Sequence, residues 1–350
     1  MLDDLDEIEE LDASGMLGIL NKFPDQILEI ANLIKDVDIS KLVDFDPNTI
    51  LVLGMGGSAI GGDILASVLE NKSNIPILVN RHYDIPKLAN NKTLVIACSY
   101  SGNTEETLSA VSEAKERGCK IVGITSGGYL EEFCTKFDLP IIIIPKNLPP
   151  RAAVLFLCLP MLLILDRLNY ARTDFELTEL IDSIIELRNC IEPTVPTQQN
   201  PAKTLALKLN NKIPVIYAHS YLNVIAYRWK TQLNENSKMI AYSGTFPEMN
   251  HNEIVGWGDA PEDITQQFII ILIRSSDEHA QISKRIELTK RILLEKAGGV
   301  LEVDALGKSR LTKMLTTIYL GDYTSVYLAL LRGIDPTPVQ VIEDLKKQLK

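Results

Sequence analysis

The chain has 350 residues, 46% of them apolar and 23% charged, with a formal net charge of −11. That length allows two domains, each with a buried core of its own, and that apolar content excludes a disordered chain. So acidic a balance suits a nucleic-acid backbone poorly, and an anionic ligand would have to be held by local donors such as backbone N–H groups.

Residues Met1–Glu10 are acidic and lack the basic flank and apolar stretch of a secretory leader. Thr49–Leu53 reads as a short strand that runs into Gly54-Met55-Gly56-Gly57-Ser58, with a helix over Ala59–Leu69. Ile75–Val79 and Thr93–Cys98 read as strands, Glu105–Arg117 as a helix, and Ile121–Thr125 and Pro140–Ile144 as two more strands. Five apolar runs separated by helices predict a parallel sheet covered on both faces. Ala152–Leu165 is the longest apolar run; it is too short to span a bilayer, contains Pro160 and reads as a core helix. A helix is expected over Thr173–Asn189, after which Ile191–Ala202, with three prolines, marks a linker.

The alternation then restarts with a strand at Ile213–Ala218, a helix at Leu222–Leu233, a strand at Phe268–Ile273 and a helix at Glu278–Lys296. A strand ending at Val303, a long apolar helix at Leu311–Arg332 and a short helix at Pro338–Lys350 complete the chain. The long helix suits a subunit interface and a buried core equally. The expected fold is therefore α/β, with two tandem αβα sandwiches over residues 1–170 and 171–350. Cys98, Cys119, Cys134, Cys158 and Cys190 are odd in number and form no CxxC pair. They read as buried, reduced thiols of a cytoplasmic protein and not as a disulfide framework or zinc site.

Three loops hold residue types that carry chemistry. In Gly54–Ala59 the glycines let backbone approach an anion, and the following helix offers unpaired N–H groups. Gly54-x-Gly56-x-x-Ala59 also satisfies the dinucleotide fingerprint, which expects a carboxylate at the end of the next strand. Asn80-Arg81 stands there, so the ribose partner is missing, while Arg81 leaves a 2′-phosphate reading open. In Ser99–Thr107 the hydroxyls of Ser99, Ser101 and Thr104 gather with Gly102 at a helix start, which suits a phosphate monoester held without Lys or Arg. Helix capping by Thr104 accounts for one hydroxyl and not for three. Asn234–Lys238 and Phe246–Glu253 show no strand or helix period and are expected to be irregular. A carboxylate and a histidine on such backbone suit proton transfer. Of the four histidines only His251 lies there; His279 reads as a surface residue at a helix start, His219 could line a cleft, and His82 is open.

SYSGNTEET after a buried strand resembles the phosphate-binding signature of the sugar isomerase (SIS) domain family. MGGSAIGGD, the PPRAA segment at Pro149–Ala153, NENSK, PEMNHNE, and GDYTSVY with Asp335-Pro336 and a Lys-rich end resemble something narrower. That is the bifunctional phosphoglucose/phosphomannose isomerase family of archaea and some bacteria, matched from about Leu11 onward. The resemblance implies two SIS domains and a homodimer with active sites at the subunit interface. It implies reversible conversion of glucose 6-phosphate or mannose 6-phosphate to fructose 6-phosphate with no metal or organic cofactor. The acidic charge and the lack of a spanning apolar run separately argue for neither nucleic-acid nor membrane partners. The resemblance places Gly56, Gly57 and Ser58 on the substrate and Ser99, Ser101 and Thr104 on its phosphate. Arg151 would stand near the reacting carbons, with Glu235 the catalytic base and His251 the ring-opening histidine, given by the neighbouring subunit. Lys346 matches the terminal lysine, with Lys347 adjacent. Where the family often carries a threonine one to two turns before that lysine, this chain has Val339, with Thr337 two residues earlier.

An aldose–ketose isomerase opens the sugar ring, moves a proton between C2 and C1 and stabilises an enediolate. Withdrawing Glu235 from water would raise its basicity above the solution value of about 4.3. Imidazole titrates near neutral pH, which suits His251, and Arg151 stays charged throughout. The rival readings are a non-catalytic SIS-type sugar-phosphate sensor, which would not need Glu235 and His251, and an amino-sugar phosphate isomerase or epimerase on the same scaffold.

Overall fold

A computed structural model describes residues 1–171 and 177–349. The chain forms a five-strand unit, Lys22–Asp174, and a four-strand unit in which Met1–Asn21 join Phe175–Lys350. Two short helices, α1 (Leu5–Leu11) and α2 (Met16–Asn21), open the chain. They lie in the stretch expected with the first domain, yet they pack in the four-strand unit. The Tyr319 hydroxyl donates to the Leu20 carbonyl at 3.0 Å. Asp3 accepts from the Thr197 N–H at 2.8 Å and from the buried Lys203 ammonium at 3.2 Å. Local pattern carries no sign of partners so far along the chain.

The five-strand unit contains α3 (Phe23–Lys35), β1 (Thr49–Leu53), α4 (Gly56–Leu69), β2 (Ile77–Asn80), β3 (Thr93–Cys98), α5 (Glu105–Glu116), β4 (Lys120–Thr125), α6 (Gly128–Lys136), β5 (Ile141–Ile143) and α7 (Val154–Arg167). Its sheet runs β2-β1-β3-β4-β5, all parallel, with Ile50 of β1 opposite both Ile77 and Leu94. Every residue of β1 and β3 is buried, which is why both read as unbroken apolar runs. The strand order reverses at β1/β3, so the loops leaving the carboxyl ends of these strands border the crevice where α/β proteins bind ligands. The expected core helix is α7; α3 and α4 pack against it. Among the described residues no helix is long and apolar enough to cross a membrane.

The four-strand unit continues with α8 (Leu177–Ile191), α9 (Pro201–Leu209), β6 (Ile213–His219), α10 (Asn223–Glu235), β7 (Tyr242–Phe246), α11 (Glu253–Asp259), α12 (Glu262–Thr265), β8 (Phe268–Arg274), α13 (Ala280–Lys296), β9 (Val300–Asp304), α14 (Arg310–Leu331) and α15 (Gln340–Gln348). Its sheet is again all parallel, in the order β7-β6-β8-β9, and reverses at β6/β8. α14 is the core helix of this unit, buried along nearly its whole length against α8, α9 and α10. Its Asp322 forms a fully buried ion pair with Arg228 at 2.7 Å, and its Thr317 carbonyl takes the Trp229 indole N–H at 2.9 Å.

Three expectations change. The segment expected as a linker, Ile191–Ala202, lies inside the four-strand unit as the turn between α8 and α9. Buried Asn200 caps α9 there, and the Lys203 ammonium holds the Pro193 and Val195 carbonyls at 2.7 and 2.8 Å. β7 was not legible as a strand, because an edge sequence of Tyr-Ser-Gly-Thr-Phe, partly open to solvent, has no apolar run. Cys190 is exposed, while the other four cysteines are buried. Residues 173–176 of the helix expected at Thr173–Asn189 lie outside the described residues, as does Lys350 of the last helix.

Candidate active site

The loop after β3 places its hydroxyls against one another. Ser99 Oγ and Thr104 Oγ1 are 2.9 Å apart. Thr104 occupies the N-cap position of α5 but its side chain bonds no N–H of the helix, so capping is not its role here. Ser101 is exposed, and its Oγ accepts the Asn103 N–H at 3.2 Å. Gly102 sits at φ +69°, and a Cβ there would run into the Gly127 carbonyl, so only glycine lets the β3 and β4 loops close up. Ser126 donates from its hydroxyl to the Tyr100 carbonyl at 2.7 Å, which fixes the same two loops together. The result is a neutral nest of hydroxyls at the start of a three-turn helix, the arrangement that binds a phosphate.

The loop after β1 is fixed by backbone contact. A Cβ on Gly57 would lie 2.9 Å from the Pro150 carbonyl, so the first turn of α4 rests directly on the 3-10 turn Pro150–Ala153. That turn carries Arg151, which is buried at 5% exposure. Gly56, Gly57 and Arg151, nearly a hundred residues apart in sequence, are thereby neighbours. Gly56 is exposed, whereas Ser58 is buried and bonds the Cys98 thiol. Burial pushes that thiol up to about 12, with the Ser58 bond acting the other way. The groups that a 2′-phosphate would need are already committed. The Asn80 amide donates to the His82 and Asp84 carbonyls, both at 3.1 Å, and Arg81 is paired with Asp63 of α4.

The remaining candidates belong to the four-strand unit. Glu235 is half-buried and is the last residue of α10, not part of an irregular loop. The turn that follows is tied to α14, through the Asn236 amide to Ser325 Oγ at 2.9 Å and Ser237 Oγ to the Ser325 carbonyl at 2.8 Å. Lys238 Nζ donates to the Glu235 carbonyl at 2.8 Å and to the Pro336 carbonyl at 2.7 Å, joining this turn to the segment before α15. His251 is exposed and ends a 3-10 turn, Glu248–His251. Of the nearby carboxylates, Glu253 accepts the Tyr217 hydroxyl at 2.6 Å and Glu248 the Asn252 amide at 3.1 Å. Lys346 and Lys347 are exposed on α15, where Lys347 lies 3.5 Å from Asp344.

A cluster at β6/β8 escaped the sequence reading, although Ser275-Ser276-Asp277-Glu278 follows β8 as Ser99–Thr104 follows β3. Arg274 bonds Glu278 and Glu302 at 2.5 Å and Glu287 at 2.7 Å. Lys313 Nζ is 2.8 Å from Asp277 Oδ1, which also accepts the Tyr221 hydroxyl at 2.9 Å. His219, buried at the end of β6, has Nε2 3.4 Å from Glu278. Burial pushes its imidazole pKa down, opposed by the Glu278 and Asp277 carboxylates. His279, as expected, starts a helix, its Nδ1 accepting the Gln281 N–H at 3.1 Å.

Residues 45–166 match the model of the SIS domain, and residues 198–349 that of the bacterial phospho-glucose isomerase C-terminal SIS domain. A bifunctional phosphoglucose/phosphomannose isomerase of Caldicellulosiruptor bescii is 43% identical over 336 residues, covering 95% of this chain and 98% of that protein. The chain belongs to the bifunctional phosphoglucose/phosphomannose isomerase family. A second protein of that name, from Thermoplasma volcanium, is 36% identical over 94% of this chain and 99% of its own length. Among solved structures, a hypothetical protein of Thermus thermophilus aligns with a TM-score of 0.76 at 16% identity, over 98% of this chain and 93% of that one. That likeness concerns the fold, and it agrees with the two parallel-sheet SIS domains of the phosphoglucose/phosphomannose isomerase family seen here.

Proposed function

We propose that the protein interconverts glucose 6-phosphate and fructose 6-phosphate, and also mannose 6-phosphate and fructose 6-phosphate, through an enediolate. The observation that carries this reading is the Ser99–Thr104 hydroxyl pair at the start of α5, in a chain 43% identical to an isomerase of that name. Ser99, Ser101 and Thr104 hold the phosphate, and binding energy gathered there, away from the reacting carbons, orients C1 and C2. Gly56 and Gly57 bring backbone N–H groups to the sugar, with Ser58 supporting that turn from the core side. Glu235 carries the proton between C2 and C1. His251 handles the ring-opening proton, Arg151 stabilises the enediolate oxygen, and Lys346 belongs to the same set.

A cytoplasmic homodimer, with His251 serving the partner's site, is part of this reading. Its support is the exposure of His251 together with that of Ile240, Tyr242 and Val255 in the same stretch of chain. The decisive experiment is formation of fructose 6-phosphate from glucose 6-phosphate and, separately, from mannose 6-phosphate, with EDTA present. Turnover of both is expected. Binding without turnover would favour the sensor, and turnover of glucosamine 6-phosphate alone the amino-sugar enzyme. Glu235→Gln should bind substrate and nearly abolish exchange of the C2 proton; wild-type exchange would remove Glu235 from its role.

A further inference from the structure

One side chain joins the loops at the edge of the five-strand sheet and has no part in the roles assigned above. Tyr100 lies between Ser99 and Ser101 and is buried. Its phenol donates to the Pro145 carbonyl at 3.0 Å and accepts the Leu148 N–H at 2.8 Å. Its own carbonyl accepts from Ser126, through the N–H at 2.9 Å and the hydroxyl at 2.7 Å. Burial pushes the phenol pKa up, which keeps the proton that it donates. Tyr100 thus holds two loops by its backbone and a third by its side chain.

That third loop leads straight to Arg151. Leu148 is followed by Pro149 and Pro150, whose rings fix φ near −65°, and the Ala152 N–H closes the turn on the Pro149 carbonyl at 2.8 Å. Few soft torsions remain between the Leu148 amide and Arg151. On its other side the turn rests on Gly57. A shift of the Leu148 amide is therefore passed on to Arg151 with little damping.

We propose that Tyr100 is a positioning residue for Arg151, whose hydroxyl couples the phosphate-binding loop to the segment that places the arginine at the reacting carbons. The proposal rests on the isomerase reading, through its assignment of Arg151. Tyr100→Phe keeps the ring and removes both bonds of the hydroxyl. Expected is a fall in kcat of about 10-fold with KM within about twofold, because small misplacement of a catalytic group is costly while phosphate contacts remain. In an Arg151→Ala background the same change should cost less than about twofold, since Tyr100 acts through the residue already removed. An equal loss in both backgrounds would overturn the proposal, as would an unchanged kcat in Tyr100→Phe beside a normal loss in Arg151→Ala. Wild-type turnover in Arg151→Ala alone would withdraw the arginine assignment and Tyr100 with it, so the two failures are distinct. Should Tyr100→Phe not fold, hydrogen exchange of the wild-type protein decides, with and without the equilibrium mixture of hexose 6-phosphates. Slowing at the Leu148 amide together with residues 99–107 is expected. Slowing confined to 99–107 overturns the coupling, and slowing at neither overturns the loop assignment and the proposal together.

Discussion

The two sheets each reverse strand order once, at β1/β3 and at β6/β8, and at each place a serine-containing loop leaves the middle of the sheet. The two crevices are nonetheless built in opposite ways. At β1/β3 the stretch Ser99–Thr104 has no charged side chain, and its hydroxyls meet at the start of α5. At β6/β8 Arg274 is surrounded by three carboxylates, and Asp277 takes Lys313, Ser275 and Tyr221. Burial would raise the Asp277 carboxyl, but those three hydrogen bonds outweigh it and hold the group well below the usual carboxylate range. Donors left facing a crevice bind an anion; donors already matched to fixed carboxylates hold the unit together. The topology offers such a crevice twice, and the proposed reading uses the one whose hydroxyls are not matched to fixed charges.

This contrast can be broken at several strengths. The largest effect is expected from Arg151→Ala, which removes the cation beside the first crevice and should lower turnover by about 100- to 1000-fold in a steady-state assay. Next, Ser101→Ala combined with Thr104→Ala should lower kcat/KM by about 10- to 100-fold, chiefly through KM, since each hydroxyl bond to a charged phosphate is substantial. The matching pair at the second crevice, Ser275→Ala with Ser276→Ala, should leave KM within about twofold. Equal effects on KM from the two pairs would end the comparison. Smaller still, Asp277→Asn should lower unfolding stability in urea by about 1 kcal/mol, a figure that allows for its partial exposure, with kcat unchanged.

The mildest test is in pH. Asp277 is depressed on folding, so its stabilisation is present above about pH 4 and is lost as pH falls through its lowered value. His219 is also depressed, so the unfolded chain binds the extra proton first, and stability rises with pH up to about 6.5. Asp277→Asn should therefore flatten the acid limb of a stability profile below about pH 4, and His219→Gln the shallower slope just below neutrality. A profile identical to wild type in both variants would show that the second crevice does not hold its unit in the way described.

Much of the fold was legible because strands buried on both faces, such as Thr93–Cys98, leave continuous apolar runs between helices. β7 was not, since its stability comes from pairing with β6 and not from its own residues. The helix α9 was hidden behind prolines, of which Pro201, in place, opens it at the first helical position after the Asn200 cap. In the candidate site, the closeness of Ser99 and Thr104 was readable because the two hydroxyls lie within six residues of one another. Asn234–Lys238 shows no strand or helix period and so reads as irregular, yet α10 persists to Glu235 and the turn forms only where Asn236 and Ser237 find Ser325. Tyr100 could not be read at all. Its partners lie 45 and 48 residues away and are backbone groups, which leave no mark on sequence.

The split membership of the chain sets an order for its synthesis. Residues Lys22–Asp174 are one unbroken stretch, so the five-strand unit can close on itself as it leaves the ribosome. Met1–Asn21 are made earlier still, but the Tyr319 hydroxyl that donates to the Leu20 carbonyl arrives only with α14. At roughly 5–20 residues per second, α1 and α2 wait some tens of seconds for the surface that they cover. The Ser99–Thr104 loop is therefore assembled on the nascent chain well before Glu235 and His251 exist, so on the proposed reading the hold on the substrate would form before the means of converting it.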